Sequence, residues 1–348
     1  MNPLILRPMS KDSGDITRRK ADHIDLAFAS QADEAMRDTR FYYEPLLSAH
    51  PSPEGDLPIV FLGKTLRYPL WVSSMTGGTN AAKKINENLA RMCGEFGFGM
   101  SLGSCRALLE NPKLLPDFDV KKWIGPDYPL YANLGIAQVE RMLEAGHEGQ
   151  IKDLLEVLQA DGLIIHVNPI QEWLQPAGDR FHIAPLETIR HLVGGSSFPI
   201  IVKEVGQGMG PESLGKLMSL PVAAVELAAH GGTNFATLEL LRDTDALRQE
   251  NYVRLGSIGH SAEEMITYIN HIGEQMPGSL QCRQVIISGG VRDFLDGFYL
   301  MKKLNLPAIY GQASGFLKHA QHGYEQLQAF AHIQTAGLKL AFTYLRVR

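Results

Sequence analysis

The chain has 348 residues, 45% of them hydrophobic and 20% charged, which is enough to bury a large core as one α/β domain or as two smaller ones. Lys plus Arg number 33 against 38 Asp plus Glu, a net charge of -5, so no global basic field draws the chain to nucleic acid or anionic lipid, and an anionic ligand has to be held by local groups. The three cysteines, Cys93, Cys105 and Cys282, are odd in number and share no CxxC spacing, which argues against a disulfide framework or a zinc site and fits a reducing cytoplasm. The amino-terminal MNPLILRPMS has no basic segment followed by a signal-length apolar stretch, and nowhere do about 18 apolar residues run together, so neither a secretion signal nor a membrane span is expected.

After a polar first sixty residues, eight short apolar runs follow: PLWVSS (69–74), FGMSLGS (98–104), PLYANLG (129–135), GLIIHVN (162–168), PIIVKEVG (199–206), AAVELAA (223–229), QVIISGG (284–290) and PAIYGQA (307–313). Between them lie stretches such as NAAKKINENLARMCGEF and QVERMLEAGHEGQIKDLLEVLQA, where Leu, Ile and Met recur at helical spacing. Near-continuous apolar strands alternating with helices predict a parallel sheet buried on both faces, and eight such units in about 250 residues suit a closed (β/α)8 TIM barrel. An open doubly wound sheet is the alternative, but no GxGxxG follows the first run. With neither an internal repeat nor a Pro/Ser-rich linker, residues 1–348 are expected to form one barrel domain, with 1–60 as an amino-terminal extension.

Polar residues gather at the carboxyl ends of the runs, which share one rim in a barrel and build its active site. In chain order these are Ser74-Met75-Thr76-Gly77-Gly78, Ser104-Cys105-Arg106, Asn133, His166-Asn168-Gln171-Glu172, Lys203-Glu204, His230-Gly231-Gly232-Thr233, Ser288-Gly289-Gly290-Val291-Arg292 and Gly311-Gln312-Ala313-Ser314. SGGVRD after the seventh run and GQASGF after the eighth stand where such barrels bind a phosphate, because small residues let backbone N–H groups approach an anion; each alone also reads as a tight turn. Lys203 is an ammonium at the end of an apolar strand, which calls for an anionic or electron-rich partner or else for solvent. His166 reads equally as a satisfied core imidazole, and RRKADHIDLA as the charged face of a surface helix. His260 and the histidines of KHAQHGYEQ read as surface residues, and Met75, Met92 and Met100 as gap-fillers.

Taken together, RRKADHI, SSMTGGT, GSCRALLE, YANLG, HVNPIQE, VKEVG, HGGTNF and SGGVRD resemble, in order and over nearly the whole chain, the motif series of the type 2 isopentenyl diphosphate isomerases; Asn-Pro-Ile-Gln-Glu is the most specific member. The resemblance implies a flavin-dependent barrel that interconverts isopentenyl diphosphate and dimethylallyl diphosphate with FMN, Mg²⁺ and a reductant such as NADPH, in a cytoplasmic homo-oligomer, a tetramer or octamer. It implies FMN at Ser74, Met75, Thr76, Ser104, Asn133, Lys203 and Thr233, with the FMN phosphate at Gly290, Val291, Arg292, Ala313 and Ser314. The substrate diphosphate would lie at Arg19, Lys20, His23, Ser104, Arg106, His166 and Asn168. Glu172 is a hard oxygen ligand suited to Mg²⁺, and Gln171, which cannot titrate, is suited to orienting substrate. His166, Gln171, Glu172 and Lys203 are thus the candidate catalytic set.

Two departures stand out. Cys105 occupies the place of a Gln in the family's Ser-Gln-Arg, removing an amide that would help hold substrate, and RLGSIGHSAEE (254–264) replaces an expected Trp-Gly-Ile-Pro-Thr-like turn. Two rival readings remain: an FMN-dependent 2-hydroxy-acid oxidase or dehydrogenase, suggested by AAHGG, and a non-catalytic flavin or prenyl-phosphate binding protein. The first would require an Arg three residues after the His, where this chain has Thr233; the second would predict loss of the Gln-Glu pair, Lys203 or Arg106, and all are present.

Overall fold

The structure, a computed structural model, describes residues 20, 22–74, 80–275 and 278–348. The chain divides into a small unit, residues up to Tyr42 together with Arg348, and a large one, Tyr43–Val347. In the small unit residues 22–26 are helical and a 3-10 turn at Glu34–Met36 is capped by Asp33, whose carboxylate accepts from the Ala35 N–H.

The large unit is built on eight strands, β1 (Leu70–Val72), β2 (Gly99–Ser101), β3 (Leu130–Gly135), β4 (Gly162–His166), β5 (Ile200–Lys203), β6 (Ala224–Glu226), β7 (Val285–Ile287) and β8 (Ala308–Gln312). They close into a parallel barrel in chain order, β8 pairing with β1, and each lies inside one of the eight predicted runs. Every residue of β3, β5 and β8 is buried, as expected for strands covered on both faces. Among the described residues no helix is long and apolar enough to cross a membrane.

At the level of Trp71 the barrel interior is filled by Trp71, Tyr131, Ile164, Ile201, Ala224, Ile286 and Ile309, one from each strand except β2. Strand β2 contributes Gly99 instead, and the Trp71 indole takes the vacated space: a Cβ on Gly99 would stand 2.2 Å from Trp71 Cε3. Gly99→Ala is therefore expected to overpack the barrel by about 1–3 kcal/mol, and Trp71→Ala to hollow it by about 3–5 kcal/mol. Denaturant unfolding of both variants measures this; an unchanged midpoint for Gly99→Ala would contradict the packing.

Phe61 and Leu66 join the same cluster from an antiparallel hairpin, Ile59–Phe61 with Lys64–Leu66, absent from the sequence expectations. Its turn, Leu62-Gly63, has positive φ at both residues, 51° and 77°. Leucine is a poor choice there, but its N–H donates to Gln284 Oε1 at 2.8 Å and its side chain packs on the cluster, which offsets the strain.

Candidate active site

Three strands end on chemically distinct side chains. In the parallel register His166 of β4 stands beside Lys203 of β5, and Lys203 beside Glu226 of β6, so the three project to the same side at the carboxyl rim. The Lys203 ammonium is buried and donates to the carbonyl of Glu204 at 2.8 Å. The Glu204 carboxylate accepts from the backbone N–H groups of Gly206, Gln207 and Gly208, folding the loop back directly behind Lys203.

Lys203 and Glu226 line a cavity of about 320 Å³. Its walls come from Ser73 and Ser74 after β1, from Ala228, Ala229 and 231–233 after β6, from 288–292 after β7 and from 311–315 around the end of β8. The loops after β6 and β7 meet backbone to backbone. Gly289 and Gly290 take φ of 86° and 73°, and a Cβ on Gly289 would lie 2.1 Å from the Ala229 carbonyl oxygen. Among the described residues, three buried side-chain atoms in the lining have no hydrogen-bond partner: Ser73 Oγ, Glu226 Oε2 and Gln312 Oε1. Buried polar groups are rarely left so, and three in one cavity wall mark a place for a polar ligand.

On the other side of His166 lies a second cluster. The Asn133 amide donates to the Leu102 carbonyl, so its Oδ1 accepts from His166 Nδ1 at 2.8 Å and fixes the proton on that ring nitrogen. Burial, reinforced by the charge of Lys203, lowers the His166 pKa from 6.5 to about 3. The imidazole is therefore neutral throughout the working range, and an NMR titration should find no His166 transition between about pH 5 and pH 8; a midpoint near 6.5 would contradict this. As the unfolded chain binds a proton here that the folded chain refuses, stability from this site is intact above pH 6.5 and falls by up to about 1.4 kcal/mol per unit below it.

The helix Pro169–Leu174 carries Gln171 and Glu172 on its first turn, with Asn168 at its N-cap. Asn168 Nδ2 donates at 3.0 Å to both Gln171 Oε1 and Glu172 Oε1, and the Asp179 N–H donates to Glu172 Oε2 at 2.7 Å. Each Glu172 oxygen thus has one fixed donor and one open lone pair. Gln171 Nε2 donates to Glu239 Oε1 at 3.2 Å, a buried carboxylate on the helix Phe235–Arg242. Arg106 reaches the same corner, donating to Asp179 at 3.0 Å and to Glu110 at 2.8 Å. Among the described residues no three His, Cys, Asp or Glu side chains gather as a metal cluster.

No family model matches the chain. Isopentenyl-diphosphate delta-isomerase of a Nostoc species is 35% identical over 343 residues, covering 97% of this chain and 92% of the relative. The proteins of the same name from Rickettsia africae and a Synechococcus species are 32% and 33% identical, over 90% and 96% of this chain. The chain belongs to the type 2 isopentenyl-diphosphate delta-isomerase family. Solved structures of mandelate oxidase share the fold at low identity: a mutant with a monooxide FMN adduct aligns at TM-score 0.52 with 13% identity, covering 96% of this chain and all of that one. A mutant with (S)-mandelic acid aligns at 0.54 with 12% identity, covering 89% of this chain and 87% of that one.

Within the family frame, the residues expected at the flavin fall into two groups. Ser74, Lys203, Thr233, Gly290, Val291, Arg292, Ala313 and Ser314 line the cavity; Asn133 does not, and instead holds His166. Ser104 is exposed, its Oγ accepting from the Arg106 N–H at 3.5 Å. Met75, Thr76 and Arg19 lie outside the described residues, and Lys20 and His23 are exposed on the small unit. Cys105 is fully buried against the Gly103 carbonyl, with burial pushing its thiol up to about 12, so the residue that replaces the family's Gln is turned into the protein. His230 does not line the cavity; its Nε2 donates to the Gly256 carbonyl of the 254–264 loop at 3.3 Å. Glu226, Glu239 and Asp179 were not among the expected site residues.

Proposed function

We propose that the protein interconverts isopentenyl diphosphate and dimethylallyl diphosphate by a 1,3-allylic rearrangement, with reduced FMN in the cavity, Mg²⁺ at Glu172 and NADPH as reductant. The observation that carries this proposal is the end of β4, which sets His166 beside Lys203 of the cavity and leads two residues later into the Asn168–Gln171–Glu172 cluster, which Arg106 reaches through Asp179.

The cavity suits FMN on its own chemistry. Its orphaned polar atoms on Ser73, Glu226 and Gln312 match the polar edge of a flavin ring, and the Gly289-Gly290 turn gives a side-chain-free cradle for the phosphate, which Val291, Arg292, Ala313 and Ser314 extend. Reduced FMN would supply the electron-rich acid–base centre of the reaction. Lys203 is a buried cation in the cavity wall that favours an anionic ligand there. Glu172 would hold Mg²⁺ together with diphosphate oxygens, and Arg106 would fork two more of them. Gln171, tied between Asn168 and Glu239, would fix the position of the alkene. Neutral His166, its Nδ1 proton committed to Asn133, is not a proton source.

The direct test is to incubate the protein with isopentenyl diphosphate, FMN, NADPH and Mg²⁺ and measure dimethylallyl diphosphate; product that forms only when all are present supports the proposal, and none under any combination sinks it. A cytoplasmic homo-oligomer, a tetramer or octamer, belongs to the same proposal, and sedimentation measures the assembly. The hydroxy-acid oxidase reading finds no support at His230, which is spent on the Gly256 carbonyl.

A further inference from the structure

Asp179 is placed where three cationic or amide donors converge. Its side chain is 12% exposed and accepts from Arg106 Nη1 at 3.0 Å, from Gln138 Nε2 at 2.8 Å, and from both terminal nitrogens of Arg141. Burial raises its pKa, but the Arg141 and Arg106 guanidiniums and the Gln138 amide overcome this and hold the carboxylate below the usual range. Gln138 in turn accepts from the Gly135 N–H at the end of β3, and the Asp179 N–H positions Glu172, so this carboxylate is bolted to the barrel rim and to the candidate metal ligand at once.

A second guanidinium, on the helix Ile136–Glu144, thereby shares one carboxylate with Arg106, while its side chain stays about half exposed. Charge decides what that pairing can do. Among the described residues the hydrogen-bonded corner holds four carboxylates, Glu110, Asp179, Glu172 and Glu239, against four guanidiniums, Arg106, Arg141, Arg242 and Arg180, the last donating to the Glu172 carbonyl at 2.6 Å. It is balanced only with Arg141. Without it, and before a cation reaches Glu172, a diphosphate would approach a corner of net negative charge.

We propose that Arg141 is a second anion-binding residue, which with Arg106 grips the terminal phosphate of a diphosphate ligand, and that Asp179 occupies the two guanidiniums until that phosphate displaces it. This rests on the diphosphate reading of the site. Arg141 presents both terminal nitrogens and Arg106 presents one to the same carboxylate, and a tetrahedral phosphate offers those donors more acceptor oxygens and more charge than Asp179 does.

The probe is inorganic pyrophosphate, titrated calorimetrically into the full-length parent, Arg106→Gln, Arg141→Gln and Asp179→Asn, alongside steady-state kinetics with isopentenyl diphosphate. Arg141→Gln is expected to weaken pyrophosphate and raise the KM about tenfold, with kcat within about twofold. If Arg141 were only a strut for the 175–184 loop, Arg141→Gln and Asp179→Asn would break the same ion pair and weaken binding alike. Asp179→Asn is expected instead to bind pyrophosphate at least as tightly as the parent, because it removes a negative charge while keeping the N–H that positions Glu172. Arg141→Gln binding like the parent while Arg106→Gln fails, or Asp179→Asn weakening in step with Arg141→Gln, would overturn the assignment to Arg141. A parent that binds no pyrophosphate and turns over no substrate would instead fell the diphosphate reading itself.

Discussion

Glu172→Gln should lower turnover at millimolar Mg²⁺ by on the order of 100-fold and shift the Mg²⁺ titration to much higher concentration, without changing the spectrum of bound flavin. The substitution is isosteric, yet it is not neutral at this position. Glu172 Oε1 accepts from Asn168 and Oε2 from the Asp179 N–H, so whichever way an amide is turned, its NH2 faces a donor. The charge that would attract the cation disappears, and the two contacts that aim the group can no longer both be made. Stability should fall by about 1–3 kcal/mol from the donor–donor conflict, so the titration is read at a temperature where both proteins are folded. Superimposable Mg²⁺ curves for parent and variant would remove Glu172 from the metal site.

Gly289→Ala should yield a protein purified colourless, with FMN affinity reduced about 100-fold or more. Gly289 has φ of 86°, and the added methyl would stand 2.1 Å from the Ala229 oxygen and 2.2 Å from its nitrogen. Backbone cannot rotate away as a side chain can, so the loops after β6 and β7 must part, at about 1–3 kcal/mol of steric cost added to the cost of positive φ. Gly290→Ala is the control: its φ of 73° is also positive, but its nearest neighbour, the His230 oxygen, would be 3.4 Å away. It should cost about 1 kcal/mol and retain flavin. If Gly289→Ala bound FMN as tightly as the parent, the junction of these loops would not be the phosphate cradle.

The barrel was legible because each strand is a continuous apolar run that stops at a polar residue, and those stops, Ser74, His166, Lys203 and the Gly289-Gly290 turn, come together at the rim. The hairpin at 59–66 was not, because its strands are three residues each and its turn uses Leu62 where Asn or Gly would signal it. Nor was Asp179. It sits in an unremarkable Gly-Asp turn, and its partners Arg106, Gln138 and Arg141 lie 73, 41 and 38 residues away, so only the closed barrel brings them to it. Glu239 is hidden for the same reason, 68 residues from Gln171 on what reads as an ordinary helix. The identity of Cys105 was plain in the sequence, but its direction was not: the thiol at the start of the helix Arg106–Glu110 points inward, leaving the rim to Ser104 and Arg106.

The central claim is that the protein moves a double bond with no net oxidation or reduction, and counting products per flavin tests it most directly. With FMN photoreduced anaerobically and no NADPH added, isopentenyl diphosphate and Mg²⁺ should give many equivalents of dimethylallyl diphosphate per flavin, the flavin still bleached at the end, and oxidised protein should give little. Product limited to one equivalent, with the yellow colour returning as it forms, would mean that electrons leave with every turnover, and would contradict the isomerase account.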